Sequence, residues 1–181
     1  VKKMCDKLFH RGPDGEGLWI NSKAQISLGH RRLAVIDLSN AAAQPMHLNQ
    51  RYSITYNGEI YNYPELRNEL LQLGCVFKTT SDTEVLLHAY SVWGTNMLTK
   101  LDGMFAFVIW DELKQELFCA RDRFGEKPFF YHHDGKNFWF ASEMKALWAT
   151  GIAKQMDEQM VYRYLMYNEL MNKSSNKLIL I

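Results

Sequence analysis

The chain reads as an α+β fold, antiparallel sheets covered by helices, on three observations. Strand-like runs are grouped with helices before, between and after them, not in strict βαβ alternation. Residues 104–110, Met-Phe-Ala-Phe-Val-Ile-Trp, form a near-continuous apolar run, as a strand buried on both faces requires. The chain has 181 residues, 47% of them hydrophobic and 13% aromatic. A chain of that size buries roughly 70% of the surface its unfolded form exposes, which suits one compact domain.

The elements follow in order. Val1, Met4 and Leu8 recur at i, i+3 and i+7, an amphipathic helix that runs into Phe9 and stops before Gly12-Pro13. From Gly17 to Ile36 the pattern is β, with a turn at Asn21-Ser22-Lys23. Tyr52, Ile54 and Tyr56 alternate as in a half-buried strand that ends at Asn57-Gly58. Pro64, then Leu66, Leu70 and Leu73, with Gly74 just past the end, mark a helix. Ser81-Asp82-Thr83-Glu84 has the form of a capping box and opens a second helix through Val85, Leu86, Ala89 and Tyr90 to Gly94. Strands are expected at 104–110 and 117–121, joined around 111–114, and at 129–131 and 138–140, joined through Asp134-Gly135. Helical signals return at Ser142-Glu143. Asp157 is the expected cap of a last helix carrying Met160, Val161, Tyr164, Leu165 and Leu170, followed by a polar stretch at 172–176 and four apolar residues at 178–181. No internal repeat is found.

Both ends read as cut. The first helix has no capping residue before it, and four terminal apolar residues would leave an unpaired strand exposed, so sequence is expected to be missing upstream.

Lys plus Arg number 21 against 20 Asp plus Glu, a net charge of +1, and no basic run lines one face. Nucleic acid and anionic membrane are therefore not expected partners. No apolar run approaches the roughly 20 residues of a membrane span, and the start has no signal-peptide core. Cys5, Cys75 and Cys119 are widely spaced, with no Cys-x-x-Cys. They read as reduced thiols of a cytoplasmic protein. His132-His133 is no metal pair, because adjacent strand residues point to opposite faces, and no metal site is expected.

Each chemistry-bearing block admits two readings. Asn57-Gly58 at a strand end is a tight turn, or an oxyanion hole in which the Asn57 amide and the Gly58 backbone N–H donate to a tetrahedral intermediate. Arg32 is a surface ion-pair partner, or a fork for a free α-carboxylate. Glu59 and Asp82 are solvated or capping carboxylates, or, with Arg32, parts of a clamp for a zwitterionic amino acid. The block at 10–17, His-Arg-Gly-Pro-Asp-Gly-Glu-Gly, is a rigid loop, and that at 121–128, Arg-Asp-Arg-Phe-Gly-Glu-Lys-Pro, a charged turn, on their residues alone.

HRGPDGEG, LGHRRLAVIDL followed by QPM, YNGEIYNY, SDTE, LDGMFAF, RDRFGEKPFFY and FASEMKAL, in this order and spacing, resemble the N-terminal glutaminase domain (a class II glutamine amidotransferase) of glutamine-hydrolysing asparagine synthetases. The resemblance covers roughly residues 1 to 170. It implies an N-terminal-nucleophile hydrolase fold, a four-layer αββα sandwich of two antiparallel sheets. In that family an N-terminal cysteine attacks the glutamine side-chain amide, with its own α-amino group as base. Ammonia leaves, and a thioester to glutamate is hydrolysed. By position Arg32 resembles the α-carboxylate ligand, with Val35 and Ile36 in the segment whose backbone lines the pocket. Asn57 and Gly58 resemble the oxyanion hole, Glu59 and Asp82 the ligands of the α-amino group, and residues 121–128 the element beside the ammonia passage.

The resemblance further implies, as partners, glutamine and a synthetase domain of the same polypeptide that uses ATP and magnesium to activate aspartate. No cofactor is expected in the glutaminase domain itself, and no Ser-Gly-Gly-x-Asp-Ser pyrophosphate loop occurs in the chain. Residues 1–155 are read as the glutaminase domain lacking its first strand, and 156–181 as the start of the connection. The family's opening Met-Cys-Gly-Ile strand has no counterpart here, and Cys5, inside a helix with an acylated nitrogen, does not replace its cysteine. The resemblance allows a homodimer without requiring one. Two alternatives stay open: a glutaminase feeding a different acceptor, a sugar or another carboxylate, and a non-catalytic module that docks a synthetase domain.

Overall fold

A computed structural model describes residues 1–154 and 156–167. Its largest sheet has four antiparallel strands in the order β3 (Met46–Leu48), β4 (Tyr52–Ile60), β5 (Gly103–Asp111), β6 (Glu116–Arg121). The β4–β5 ladder runs from Tyr52 opposite Asp111 to Ile60 opposite Gly103. Tyr52, Ile54, Tyr56 and Ile60 alternate onto one face. There they join Phe105, Phe107 and Ile109 in a core with Leu66 and Leu70 of α2 (Tyr63–Gln72) and Val85, Leu86 and Ala89 of α3 (Asp82–Trp93).

The other face of β4 is covered as well, and Ser53 and Thr55 are buried there. It meets the hairpin of β1 (Gly15–Asn21) and β2 (Ile26–Arg32), to which Thr55 Oγ1 donates at Gly29 O, 3.2 Å away. Beyond the hairpin lies α1 (Lys2–Lys7), packed against α4 (Met144–Trp148), which covers a second hairpin of β7 (Phe130–His133) and β8 (Phe138–Ala141). Met4 and Leu8 close over Ala141, Ala146 and Leu147. A Cβ on Gly29 would stand 2.6 Å from Cys5 Sγ, so α1 reaches β2 only over a glycine.

These layers, helices, sheet, hairpins, helices, form the expected α+β sandwich. The outer β layer consists of two separate hairpins, and no ladder joins them among the described residues.

Several element boundaries differ from those expected. β4 runs through Asn57-Gly58 to Ile60, because Ala106 and Phe105 of β5 pair opposite them, and it is covered on both faces, not one. The turn reading of Asn57-Gly58 fails for that reason. β2 ends at Arg32, so Val35 and Ile36 lie in a loop. β3 was not anticipated. At α3 the Ser81 Oγ accepts from Thr83 N at 3.0 Å, but Glu84 does not return to Ser81. Its carboxylate takes the amides of Lys78 (2.9 Å) and Thr79 (2.7 Å), so the reciprocal capping box is replaced by a clamp on the preceding segment. The last helix is α5 (Glu158–Tyr167); the expected Leu170, polar stretch and terminal apolar run lie outside the described residues. Among the described residues no helix is long and apolar enough to cross a membrane.

Candidate functional site

The site is built on an edge of β4. The third strand covers β4 only from Tyr52 to Ile54, and beyond that the edge opposite β5 has no strand partner among the described residues. Side chains take over part of it. Gln44 Oε1 accepts from Tyr56 N at 2.7 Å, and Asp82 Oδ2 accepts from Ile60 N at 3.2 Å. Strand alternation puts the Gly58 N–H on this same edge, midway between those two. No hydrogen bond reaches it among the described residues. A side chain at 58 is excluded by packing: a Cβ would stand 2.2 Å from Met104 O, 2.8 Å from Phe105 Cα and 2.7 Å from the Tyr56 ring.

Next to it, Asn57 points to the hairpin side of the sheet. Its Nδ2 is buried and has no partner among the described residues. An idle buried donor costs about 1–3 kcal/mol, and such a cost is characteristic of a donor held ready for charge that develops only during reaction. His30 fixes the peptide that precedes Asn57, its Nε2 lying 3.2 Å from Tyr56 O. Burial pushes the His30 pKa down to about 4, against the Tyr56 carbonyl bond that favours the charged ring. The imidazole is therefore neutral near pH 7, with Nε2–H donating to Tyr56 O.

Asp82 is the first residue of α3 and is buried. Tyr56 Oη donates to its Oδ2 at 2.8 Å, the same oxygen that Ile60 N reaches. Burial raises the Asp82 pKa, opposed by those hydrogen bonds and reinforced by the charge of Glu59. Glu59 itself is half-buried on β4, on the face of Asn57. Two carboxylates that repel each other across a partly dry space are suited to share a cation.

Arg32, at the end of β2, spends its guanidinium on the loop that follows. Nη1 donates to Ser39 O at 2.8 Å and Nη2 to Asp37 O. Each takes one of the five guanidinium N–H groups, so donors remain for a carboxylate. The loop is held at both ends: Asp14 Oδ2 accepts from Ala34 N at 2.9 Å, and Asp37 Oδ2 accepts from Thr80 N and Oγ1, both at 3.1 Å. Within it Val35 is exposed and Ile36 half-buried. Hydrogen bonds with Ser39 and Thr80 hold the Asp37 carboxyl far below the usual carboxylate range. The structure thus brings Arg32, the 35–36 loop, the start of α3 and the distal half of β4 to one end of the sandwich.

Residues 121–128 form a loop around the buried Asp122, which accepts from Phe105 N (3.3 Å), Glu126 N (2.8 Å) and Lys127 N (2.9 Å). Arg121 lies opposite Ala106, itself opposite Asn57, so this loop starts in the same cross-strand row as the idle amide. Phe124 at its tip is 90% exposed. The block at 10–17 is a loop only in part, since it opens in a 3-10 turn over Phe9–Arg11 and enters β1 at Gly15; Arg31 Nε donates to Gly12 O at 3.0 Å, and Glu143 takes His10 at 2.9 Å and Arg11 at 3.3 Å. No group of three or more metal-ligating side chains is found among the described residues.

Four residues of the site were not singled out from the sequence: His30, Asp37, Gln44 and Tyr56. Each lies inside a motif that was, but acts through a partner distant in the chain, as Asp37 does on Thr80, 43 positions away.

The chain matches the model of the glutamine amidotransferase domain over residues 1–179. It is 47% identical to asparagine synthetase [glutamine-hydrolyzing] 3 of Bacillus subtilis (strain 168) over 82% of this chain and 24% of that protein. With asparagine synthetase [glutamine-hydrolyzing] 1 of the same organism it shares 40% identity over 92% of this chain and 26% of the relative. The chain therefore spans about a quarter of the length of these relatives. Among solved structures, glutamine phosphoribosylpyrophosphate amidotransferase from B. subtilis superimposes with a TM-score of 0.69, at 24% identity, over 82% of this chain and 40% of that one. That likeness shows the fold, the N-terminal-nucleophile sandwich expected above. The chain belongs to the glutamine amidotransferase domain family.

Proposed function

We propose that this chain is the glutaminase part of an asparagine synthetase: it releases ammonia from the side-chain amide of glutamine for transfer to an ATP-activated aspartate. The observation that carries the reading is a pair of donors on adjacent residues, Asn57 Nδ2 and the Gly58 amide, that no group among the described residues uses. These are the groups an oxyanion hole needs, held before any oxyanion forms. The names of the relatives, asparagine synthetase [glutamine-hydrolyzing], support the choice of acceptor.

In this reading Arg32 takes the α-carboxylate with its remaining N–H groups, and the 35–36 backbone lines the pocket wall beside it. Glu59 and Asp82 hold the α-ammonium, and Asn57 with Gly58 stabilises the tetrahedral intermediate. The attacking thiol comes from outside these residues, an N-terminal cysteine whose free amine serves as base. None of the three cysteines described fits that role. Burial raises the pKa of Cys5 and Cys75 and pushes Cys119 up to about 12, so none is a ready thiolate.

We assign residues 1–155 to the glutaminase unit and 156–181 to the start of the connection. In support, α5 leaves Val161, Tyr162, Leu165 and Met166 exposed. ATP and magnesium would act on the acceptor in the synthetase domain, and no described residue is assigned to them. Three unpaired thiols fit a cytoplasmic location.

The test is to incubate the full-length protein with glutamine, aspartate and ATP and to quantify glutamate and asparagine. Both products are expected in equal amounts. Glutamate without asparagine would move the reading to another acceptor, and absence of glutamate would sink it. The mass of the same preparation in solution decides whether it is a homodimer.

A further inference from the structure

We propose that Tyr56 is the specificity-determining residue for the substrate's α-amino group: its phenol holds one oxygen of Asp82 so that the other faces the ammonium. The inference rests on the reading of Asp82 as the ammonium ligand and assigns that selectivity to a residue that touches no substrate.

Tyr56 Oη and Ile60 N both donate to the same oxygen, Oδ2, at 2.8 and 3.2 Å. The Thr83 amide, which donates to Ser81 Oγ at 3.0 Å, also favours the charged carboxylate. With Tyr56 and Ile60 both on Oδ2, Oδ1 is the oxygen they leave for a further donor. Asp82 is only 5% exposed, so its carboxylate cannot swing out to water. Two bonds on one oxygen set the plane of the carboxylate as well as its position. The phenol is a dependable donor: burial and the neighbouring Asp82 charge raise the Tyr56 pKa well above its ordinary value, so it stays protonated throughout the working range.

The ring is itself immobilised. It packs so close to Gly58 that a Cβ there would come within 2.7 Å of it, and its residue's carbonyl is held by His30 at 3.2 Å. One side chain thus spans from the oxyanion strand to the ammonium ligand. The charged or titratable groups acting on Asp82 are Tyr56 and Glu59, both from β4. Glu59 and Tyr61 act on Tyr56 as well, while Gln44 and Thr83 beside the pair are neutral; Gln44 Nε2 donates to Thr83 Oγ1 at 3.3 Å. Removing the phenol leaves Asp82 less firmly aimed and, beside Glu59, easier to protonate.

The experiment compares glutamine with glutaramate, which carries the same amide and carboxylate but no α-amino group, as substrates of the full-length protein. Tyr56→Phe is expected to lower kcat/KM for glutamine about tenfold, the worth of one hydrogen bond to a charged group. The value for glutaramate should stay the same, so the preference narrows. The acid limb of kcat/KM for glutamine should also move to higher pH. An equal fall for both substrates, or an unchanged ratio, overturns the proposal, since a merely structural Tyr56 would affect both alike. Wild-type protein that hydrolyses neither substrate would instead overturn the amidotransferase reading. Should Tyr56→Phe not fold, 3-fluorotyrosine at this position keeps the shape and donates more strongly. It is expected to widen the preference, and an unchanged preference refutes the role.

Discussion

Asn57→Leu should make the protein more stable and far less active. Its Nδ2 is buried without a partner among the described residues, and leucine replaces the amide with apolar atoms of similar volume. Removing an unsatisfied donor of this kind returns about 1–3 kcal/mol. Asn57 as a residue is only half-buried, so the lower end applies, about 1 kcal/mol, or roughly 2–4 °C in Tm for a chain of this size. Activity moves the other way. Loss of one oxyanion donor raises the barrier by about 2.7–4 kcal/mol, a fall in kcat of roughly 10²–10³-fold. KM for glutamine should change little, because the proposed function gives the ends of the substrate to Arg32, Glu59 and Asp82. The assay is glutamate release by full-length protein at several glutamine concentrations, with thermal melts followed by circular dichroism. A Tm several degrees lower with kcat intact would mean that the Asn57 amide is a structural partner and not an idle donor, and the oxyanion assignment would fail with it.

Asp37→Ala frees the 33–39 loop from Thr80 and Ser39; losing hydrogen bonds to a charged group should raise KM for glutamine roughly tenfold with kcat nearly unchanged, read from the same assay. Glu143 is held at about 2 by Lys145, with His10 and Arg11 adding to the effect. A depressed carboxyl contributes stability that is complete above its unfolded pKa and lost as pH falls from there towards about 2. Glu143→Gln should therefore lower Tm near neutral pH by a few degrees at most, since the cluster is partly solvent-exposed. The difference should close on acidification between about 4.5 and 2; a Tm gap that stays constant across that range would show that the ion cluster does not hold α4 to the 10–17 block.

The two helices after β4 were legible because periodicity and punctuation agree. Gly74, at φ +87°, ends α2 where a left-handed residue is needed, with Cys75 N on Leu70 O at 3.0 Å. The apolar run at 104–110 announced its own burial. Asn57-Gly58 misled as a fold signal because turn propensity is local, whereas the pairing of Asn57 with Ala106 is not. The same distance in sequence hid Asp37, Gln44 and the Tyr56–Asp82 bond: a carboxylate in a loop gives no sign of which backbone it will hold. The motifs nominated Arg32 as a candidate, and only the packed chain shows how it is already occupied by carbonyls of its own loop.

The open edge of β4 also bears on self-association. An uncovered strand edge is a row of donors and acceptors that a second strand can copy, and long edges of this kind drive aggregation. The oxyanion role proposed for Gly58 needs this edge uncovered, yet Gln44 and Asp82 occupy the amides on either side and His30 the Tyr56 carbonyl. An incoming strand would find one free donor where it needs several, while a single developing oxyanion needs no more. These side chains thus keep an open edge from becoming an adhesive one, and changes at Gln44 should be felt in soluble yield before they are felt in turnover.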